Sequence, residues 1–276
     1  MQSALVSTSW LNNHISHPDI VILDASMEKV VGKEPLTYDS PTFIPNAKKL
    51  NLETDFCDLT AKLSHTMPTA GLFRATCKKL GIGPTSQVVI YDNQGMYSAP
   101  RAWWTFRLMG FESVYVLNGG LPQWQKEGFA VVDTVSTGNT DQTVSVNLHK
   151  DKICDSKHVF ACLAKTDTNI LDARSFQRFA GKAPEPRSGV RSGHIPGSLS
   201  LPFANVLNEF KMKPAAELKK IFKPLANTQH IFSCGSGITA CILILAAYEA
   251  QLENLCLYDG SWSDWGSDDS LPLESV

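Results

Sequence analysis

The two halves of the chain repeat one pattern, and this duplication limits the possible folds more than any other feature of the sequence. Asp24, Pro45, Asp92 and Gly120 have counterparts 148, 151, 142 and 140 residues later. The matching segments are residues 20–25 and 169–174, 43–47 and 194–198, 89–92 and 231–234, and 117–120 and 257–260. Because the four matches keep the same order and similar spacing, they indicate two homologous domains.

The boundary between the domains is predicted in a polar stretch rich in Thr, Ser and Asn. We expect an N-terminal domain over residues 1–136, a linker over 137–151 and a C-terminal domain over 152–276.

Within each copy, short apolar runs bounded by Gly, Asn, Asp or Pro alternate with longer stretches of helical period. In residues 215–222, for example, Leu218, Ile221 and Phe222 share one helical face, with two lysines opposite. This alternation is typical of buried parallel strands joined by crossover helices. We therefore predict the α/β class, with a parallel sheet flanked by helices on both faces in each domain. In such sheets the functional site lies at the loops that follow the strands.

The composition of the 276 residues is that of a folded protein, since 43% are hydrophobic and 19% are charged. The 25 basic and 27 acidic residues give a net charge of −2, so we expect neither nucleic acid nor a membrane surface as partner. The apolar stretch 238–248 is too short to cross a bilayer, and the first ten residues lack the features of a secretory signal.

Seven cysteines are present, at positions 57, 77, 154, 162, 234, 241 and 256. The number is odd, and the chain has neither a C-x-x-C pair nor clustered histidines, so the pattern favours neither a disulfide scaffold nor structural zinc. We expect a cytoplasmic protein in which most thiols are small buried hydrophobic groups and one or two are chemically active.

Cys234 has the sequence context of a reactive thiol. An apolar strand runs into Cys234, which is followed by Gly235-Ser236-Gly237 and then by an apolar helix. Glycines allow the backbone to curl so that amide N–H groups converge on the sulfur, and the helix N-terminus adds positive potential. Both effects stabilise a thiolate, and the same amides could hold a persulfide sulfur.

A plain structural role for Cys234, as a buried cysteine at the end of a strand, is the alternative. The first copy argues against it, because Asp92 stands at the corresponding position and confines the thiol to the second domain. The other six cysteines lie in helical, strand or polar stretches without such a loop, and we interpret them as structural.

Four segments stand out: C-G-S-G-I-T at residues 234–239, G-H-I-P-G at 193–197, S-A-P-R-A-W-W at 98–104 and Y-D-G-S-W at 258–262. Together with the two-copy layout, they resemble the rhodanese superfamily, and within it the 3-mercaptopyruvate sulfurtransferases, over nearly the whole chain. The resemblance implies two tandem rhodanese-like domains, the first non-catalytic but contributing to the cleft, and a sulfurtransferase activity through a Cys234 persulfide. It implies no metal and no organic cofactor.

The loop after Cys234 separates members of the superfamily by donor. Thiosulfate-type rhodaneses are expected to carry basic side chains there, whereas residues 235–240 are uncharged, which favours 3-mercaptopyruvate. The related phosphatases need an arginine six positions after the cysteine, where this chain has Ala240. We expect the loop residues to contact the substrate; they are Gly235, Gly237, Ile238 and Thr239.

Binding of a 2-oxo acid calls for planar bidentate cations near the nucleophile. Residues 178–187 resemble the family segment that supplies two substrate arginines, so the resemblance assigns that role to Arg178 and Arg187. Exposed arginines in a loop rich in Pro and Gly are the alternative. Arg191 is a weaker candidate without an assigned role.

The resemblance also implies a Ser-His-acid triad whose His and acid come from the first domain. Ser236 is two residues from the nucleophile, and His65 matches the family histidine. The acid is expected about a dozen residues before the histidine, with Glu53 as first choice and Asp55 as second. The sequence departs from the family pattern at Leu59–Leu63, and a surface loop position for His65 is the alternative.

Other residues receive weaker assignments. Tyr97 is expected to contact the substrate, because it lies on the first-domain loop equivalent to the catalytic one. His194 is expected to make a structural hydrogen bond, and four tryptophans are expected to pack at the domain contact; they are Trp103, Trp104, Trp262 and Trp265.

The expected partners are 3-mercaptopyruvate as small-molecule donor and a thiol acceptor such as thioredoxin, with cyanide as an alternative acceptor. Three other functions remain open: a thiosulfate sulfurtransferase, a non-catalytic sulfur-relay module and a pure scaffold. The last would be indifferent to Cys234→Ser.

Overall fold

The computed structural model describes residues 2–225 and 229–276. The strands are β1 Leu5–Val6, β2 Ile20–Asp24, β3 Lys48–Lys49, β4 Gln87–Tyr91, β5 Val114–Leu117, β6 Ile153–Cys154, β7 Thr168–Asp172, β8 Leu199–Ser200, β9 Leu207–Asn208, β10 Lys211–Met212, β11 Gln229–Ser233 and β12 Leu255–Tyr258. The α-helices are α1 Thr8–His14, α2 Ala70–Lys79, α3 Ala99–Leu108, α4 Gly120–Lys126, α5 Ser156–Cys162, α6 Phe176–Phe179, α7 Ala215–Phe222, α8 Ala240–Glu249 and α9 Ser261–Trp265.

The chain forms two compact units. Unit 1 consists of Met1–Asp58, Met67–His149 and Leu207–Met212, and unit 2 of Leu59–Thr66, Lys150–Val206 and Lys213–Val276. A short segment of the first half of the chain, which carries His65, thus belongs to the same unit as Cys234.

Each unit contains one five-stranded parallel sheet, and the two sheets have the same topology. The strand order is β1-β5-β4-β2-β3 in unit 1 and β6-β12-β11-β7-β8 in unit 2. The short pair β9 and β10, antiparallel, forms a separate hairpin in unit 1. The predicted α/β class and the duplication are therefore confirmed.

The strand registers correct one of the four sequence matches. Ile90 pairs with Val116 in unit 1, and Phe232 pairs with Leu257 in unit 2, so the last strands correspond with an offset of 141 residues, not 140. Gly120 is then equivalent to Ser261, and both have a positive φ, of 55° and 51°. Residue type pairs Gly120 with Gly260, whereas the shared left-handed backbone conformation pairs Gly120 with Ser261.

Helices cover both faces of the unit 1 sheet. On one face α1 and α4 contribute Leu11, Leu121 and Trp124 to a buried cluster with Val89 and Tyr91 of the central strand β4. Because side chains alternate along a strand, Val88 and Ile90 point to the opposite face. Helix α3 packs against β4 and β5.

Unit 2 repeats this arrangement. Helices α5 and α9 contribute to a buried cluster with Ile170, Ile231 and Tyr258 of the sheet, while α8 packs against β11 and β12. Helix α8 is almost wholly buried, which explains the continuous apolar character of its sequence.

The segment expected to link the two domains runs along unit 1 as far as His149. The Ser136, Thr140 and Asn147 N–H groups donate to the carbonyl oxygens of Ala47, Lys78 and Met109. These hydrogen bonds satisfy backbone groups in a stretch that has too few apolar side chains to form an element of its own.

The four tryptophans expected at the domain contact are buried, each with at most 3% of its surface exposed, and their packing at that contact stays a prediction. Trp262 and Trp265 are part of the buried cluster of unit 2, and their indole N–H groups donate to the carbonyl oxygens of Arg191 and Pro272. In the described part of the chain, every helix is too short or too polar to span a bilayer.

Candidate active site

The loop between β11 and α8 presents Cys234 at the carboxyl edge of the unit 2 sheet. Cys234 follows the last residue of β11, and only 1% of its surface is exposed. The Gly237 N–H group donates to Cys234 Sγ over 3.1 Å. This geometry requires Gly237 to adopt a φ of 81°, a left-handed conformation that residues with a side chain rarely adopt. The Gly237 N–H thus places a hydrogen-bond donor on the sulfur of this cysteine.

The backbone of Cys234 is held by the loop after β12. Ser261 Oγ accepts the Cys234 N–H over 3.1 Å, and the Cys234 carbonyl accepts the Trp262 N–H over 2.9 Å. The Ser263 N–H donates to the Gly235 carbonyl over 2.9 Å. The segment Tyr258–Trp262 singled out in the sequence therefore holds the backbone of the nucleophile in place.

The equivalent loop of unit 1 is occupied by its own carboxylate. Asp92 Oδ2 accepts the N–H groups of Tyr97, Ser98 and Ala99 over 2.8–2.9 Å, and Oδ1 accepts that of Gln94 over 2.9 Å. Burial raises the pKa of Asp92, and these four hydrogen bonds oppose the increase. The equivalent loops therefore direct backbone N–H groups at the residue that ends the strand: four at the Asp92 carboxylate in unit 1, and that of Gly237 at the Cys234 sulfur in unit 2.

Ser236 and His65 are adjacent in unit 2. His65 Nδ1 lies 3.0 Å from Ser236 Oγ, and Ser236 is 7% exposed. His65 has a φ of 63°, a left-handed conformation that only a few per cent of residues other than glycine adopt, with Asn, Asp and His the most frequent among them. Residues in such conformations cluster at functional sites. The pair has the geometry of a hydroxyl and a base that exchange a proton.

The two candidate acids lie in unit 1. Both carboxylate oxygens of Asp55 are engaged there, since Oδ2 accepts the Asn51 N–H and Oδ1 accepts from Lys79 Nζ, each over 3.1 Å. Glu53 is exposed, and its backbone N–H donates to Asn51 Oδ1. Asp55 therefore has a structural role in the turn at residues 51–55.

Arg178 lies beside the Cys234 loop. A Cβ atom added to Gly235 would be 3.1 Å from Arg178 Nη2, so the guanidinium covers the backbone of the residue next to the nucleophile. Its Nε and Nη2 atoms bind Glu185 Oε1 and Oε2 at 3.2 and 2.5 Å. Nη1 has no partner in the part of the chain that the structure describes, and its hydrogens are available to a ligand.

Arg187 lies on the His65 side of unit 2. Its Nη2 atom donates to Ser64 Oγ over 3.3 Å, and Ser64 directly precedes His65 in the chain. Among the described residues, no carboxylate pairs with this guanidinium. Arg187 therefore offers an uncompensated positive charge near the Ser236–His65 pair.

Two residues that the sequence reasoning did not select, Arg174 and Glu185, form a buried ion-pair network with Asp172. Arg174 is fully buried, binds Asp172 through Nε and Nη2, and donates from Nη1 to Glu185 Oε1 over 2.8 Å. The Arg174 guanidinium also lies 4.4 Å from the ring centre of Trp262. One signal was available: Glu185 is the single acidic residue between the two proposed substrate arginines.

Arg191 and His194 have structural roles. Arg191 Nη2 donates to the carbonyl oxygens of Trp265, Asp268 and Leu271, and Nε donates to that of Gly266. His194 is buried, its Nδ1 atom lies 2.8 Å from the Phe179 carbonyl oxygen, and it stacks on the Phe179 ring. The structural hydrogen bond expected for His194 is confirmed.

Tyr97 lies in unit 1 and is 4% exposed. Its hydroxyl accepts the Val31 N–H over 2.8 Å and donates to the Val31 carbonyl over 3.3 Å. The backbone of Val31 therefore occupies this hydroxyl in the structure. Substrate contact by Tyr97 stays a prediction.

The seven cysteines are thiols, and no two of them are joined by a disulfide bond. Burial raises the pKa of Cys77 to about 12, and a hydrogen bond with the thiol of Cys256, together with burial, raises that of Cys154. These two thiols therefore stay protonated at neutral pH. Among the described residues, His, Cys, Asp and Glu side chains form no group of three or more that could hold a metal ion.

Comparisons with known proteins assign the family. The Rhodanese-like domain model matches residues 7–127 and 159–268. The chain is 36% identical to thiosulfate/3-mercaptopyruvate sulfurtransferase 1, mitochondrial, of Arabidopsis thaliana, over 99% of this chain and 78% of that protein. It is 33% identical to the 3-mercaptopyruvate sulfurtransferase of Escherichia coli strain K12, over 98% of each.

The fold agrees with these similarities. The chain resembles the crystal structure of SseA from Escherichia coli, described as a 3-mercaptopyruvate sulfotransferase, with a TM-score of 0.81 and 30% sequence identity. The match covers 95% of this chain and 99% of that one. Two family matches, one on each sheet, fit the duplicated topology. The chain therefore belongs to the rhodanese family.

Proposed function

We propose that the protein is a sulfurtransferase that moves sulfur from 3-mercaptopyruvate, through a persulfide on Cys234, to a thiol acceptor. The observation that carries the proposal is the Gly237 N–H aimed at the sulfur of a buried, strand-end cysteine. The Ser236–His65 pair and the guanidinium groups of Arg178 and Arg187 belong to the same unit and supply the remaining chemistry.

The first half-reaction forms the persulfide. The Cys234 thiolate attacks the sulfur of the donor, a sulfur–sulfur bond forms, and the carbon–sulfur bond breaks with its electron pair left on pyruvate as the enolate. The donor thiol gives up its proton and C3 of the enolate takes one, which we assign to Ser236 and His65. Arg178 and Arg187 bind the carboxylate and the carbonyl oxygen, where negative charge develops.

The second half-reaction regenerates Cys234. A thiolate of the acceptor, which we propose to be a thiol protein such as thioredoxin or a small thiol, attacks the outer sulfur of the persulfide. The acceptor leaves with that sulfur and Cys234 returns as thiolate, which gives ping-pong kinetics. The Gly237 N–H and neighbouring loop amides would hold the outer sulfur between the two steps, with the loop residues Ile238 and Thr239 in contact with the donor.

The acid that orients His65 is proposed to be Glu53. Asp55 is disfavoured because both of its carboxylate oxygens have partners within unit 1. Glu53→Gln should lower kcat less than a change of His65, since an orienting acid acts through the base.

Thiosulfate is the second candidate donor, because the Arabidopsis relative carries both donors in its name. Residues 235–240 carry no charge, and the cationic groups beside the loop are guanidiniums, one of them already bound to Glu185. A dianionic donor would need more positive charge than this site supplies. We therefore favour 3-mercaptopyruvate.

The compartment is proposed to be the reducing cytoplasm, on the ground that the seven cysteines form no disulfide bond and five of them besides Cys234 are buried.

The test is a pair of assays on the purified protein. Pyruvate release from 3-mercaptopyruvate and thiocyanate formation from thiosulfate with cyanide are measured for the wild type, Cys234→Ser and Cys154→Ser. Cys154 is the control because it is a cysteine of the same unit that lies outside the Cys234 loop. We expect the wild type to have a higher kcat/KM for 3-mercaptopyruvate than for thiosulfate. Cys234→Ser should lose both activities, whereas Cys154→Ser should keep both at the wild-type level.

The outcomes separate the candidates. A higher kcat/KM for thiosulfate would contradict the donor assignment and leave the persulfide intact. Turnover that survives Cys234→Ser would overturn the nucleophile. If neither donor reacts, the chain is a relay module or a scaffold. Mass spectrometry distinguishes these two, because a relay module would carry a persulfide on Cys234 that a partner protein has supplied and a scaffold would not.

A further inference from the structure

A continuous series of charged contacts runs from the core of unit 2 to the Cys234 loop. Asp172 binds Arg174, Arg174 binds Glu185, and Glu185 binds Arg178. Arg178 in turn covers the backbone of Gly235. Positive and negative side chains alternate along this series, and all but Arg178 are at least 96% buried.

The core end of the series is rigid. Arg174 has no exposed side-chain surface, donates to both Asp172 oxygens and to the Gly193 carbonyl, and stacks over the ring of Trp262. A guanidinium with so many fixed partners has one available orientation. Its Nη1 atom therefore presents a fixed donor to Glu185.

Glu185 transfers that orientation to Arg178. Both of its oxygens bind one edge of the Arg178 guanidinium, formed by Nε and Nη2, while Oε1 also accepts from Arg174. A guanidinium is planar, so fixing one edge fixes the direction of the opposite edge. That opposite edge carries Nη1, which has no partner in the described residues.

We propose that Glu185 is a positioning residue for donor binding. It holds Arg178 by the Nε edge, so that the Nη1 edge is directed to the carboxylate of the donor beside Gly235. This inference rests on the proposed function and names the residue that sets the geometry of one of its two arginines. Glu185 itself is bound on both oxygens and is a poor candidate for proton transfer.

Two other roles would predict different kinetics. If Glu185 only tied the loop at residues 178–187 to the core, its loss would lower stability and leave KM unchanged in the folded enzyme. If Glu185 only reduced the positive charge of the site, its neutralisation would strengthen binding of the anionic donor and lower KM. A positioning role predicts the opposite sign, because an unheld Arg178 loses its bidentate geometry.

The experiment compares Glu185→Gln, Glu185→Asp and the control Glu253→Gln, which removes an exposed carboxylate of the same unit. We expect Glu185→Gln to raise KM for 3-mercaptopyruvate by roughly 10- to 100-fold, the range of one charged hydrogen-bonded contact. Glu185→Asp keeps the charge but cannot span both guanidiniums, so its KM should lie between those of the wild type and Glu185→Gln. Glu253→Gln should match the wild type.

A second readout separates positioning from general damage. The enzyme is first loaded with persulfide, and the rate of sulfur transfer to dithiothreitol is then measured in a single turnover. This step involves no donor carboxylate, so its rate in both Glu185 variants should equal that of the wild type. Thermal unfolding identifies the folded fraction of each variant. If Glu185→Gln does not fold, the comparison is made with Glu185→Asp, whose carboxylate still balances the charge of Arg174.

An unchanged or lower KM in the folded Glu185 variants would overturn the assignment. Equal loss in the donor and acceptor half-reactions would also overturn it, because positioning of a donor arginine affects only the first. Failure of the wild type and of Glu253→Gln to release pyruvate would instead contradict the proposed function.

Discussion

Ser236 Oγ lies 3.0 Å from His65 Nδ1, although 171 residues separate the two in the chain. The contact depends on residues 59–66, which belong to unit 2 while the chain on either side of them belongs to unit 1. A histidine held in a left-handed backbone conformation at this distance from a nearly buried hydroxyl has the arrangement of an acid–base pair.

Loss of either member of this pair should lower kcat for 3-mercaptopyruvate by roughly 100-fold or more, the usual effect of removing an acid–base group. The variants are Ser236→Ala and His65→Asn, since asparagine tolerates the positive φ of residue 65. The double variant should be no slower than the slower single variant, because the two groups act as a unit. Steady-state kinetics measure all three.

The control for the histidine change is His17→Asn, an exposed histidine of unit 1. It should leave kcat at the wild-type value. Multiplicative losses in the double variant of Ser236 and His65 would show that the two residues act independently and that their contact is incidental.

Gly237→Ala should impair persulfide formation. Its φ of 81° costs a residue with a side chain about 1–2 kcal/mol, and relief of that strain would turn the N–H away from Cys234 Sγ. We expect slower single-turnover release of pyruvate and slower alkylation of Cys234 by iodoacetamide, read by mass spectrometry.

Gly128→Ala is the matched control for this change. Gly128 has a similar φ of 76° in unit 1, and a Cβ atom there would meet nothing within 4 Å. Gly128→Ala should lower the free energy of unfolding about as much as Gly237→Ala does, and it should keep the wild-type activity. If both variants react at the wild-type rate, the hydrogen bond to the sulfur has no part in catalysis.

Lysine substitutions should distinguish substrate arginines from structural ones. Arg178→Lys and Arg187→Lys keep the charge but lose the bidentate geometry, so KM for 3-mercaptopyruvate should rise by roughly 10-fold or more while the melting temperature changes little. Arg191→Lys should instead lower the melting temperature and leave KM unchanged, because Arg191 donates to the carbonyl oxygens of four residues between 265 and 271. A raised KM in Arg191→Lys alone would invert the assignment.

The stability of the fold should fall in alkaline solution, in part through Cys77. Burial raises the pKa of this thiol from 9.0 to about 12, so the folded state keeps its proton where the unfolded state loses it. The stabilisation is complete below pH 9 and is lost as the pH rises toward 12, with a limiting slope of about 1.4 kcal/mol per pH unit. Urea denaturation between pH 8 and 11 measures it.

Cys77→Ala should show a smaller decline over the same range, although its stability at pH 8 is lower because a buried side chain has been truncated. An unchanged slope in the variant would assign the alkaline transition to other groups, such as Tyr38, whose pKa burial also raises to about 12.

The sequence was most informative where the structure depends on neighbouring residues. The apolar runs that became β2, β4, β7 and β11 could be read directly, because parallel strands buried on both faces need continuous apolar side chains. The Cys234 loop could be recognised because the left-handed backbone conformation that Gly237 adopts is set within a few residues.

Other features resisted prediction for identifiable reasons. The offset of the last repeat was wrong by one residue because a left-handed conformation is shared by Gly120 and Ser261, which differ in type. Glu185 was overlooked because its role depends on two arginines held by the core.

The sequence by itself determined the duplicated α/β architecture, the family segments and the identity of the one cysteine in a glycine loop, since periodicity and turn chemistry are local properties of the chain. Only the tertiary structure decided that His65 joins Ser236, that Asp55 is bound within unit 1 and that Arg178 is held by Glu185. Such contacts join residues from irregular segments, whose paths follow from packing rather than from any repeating pattern.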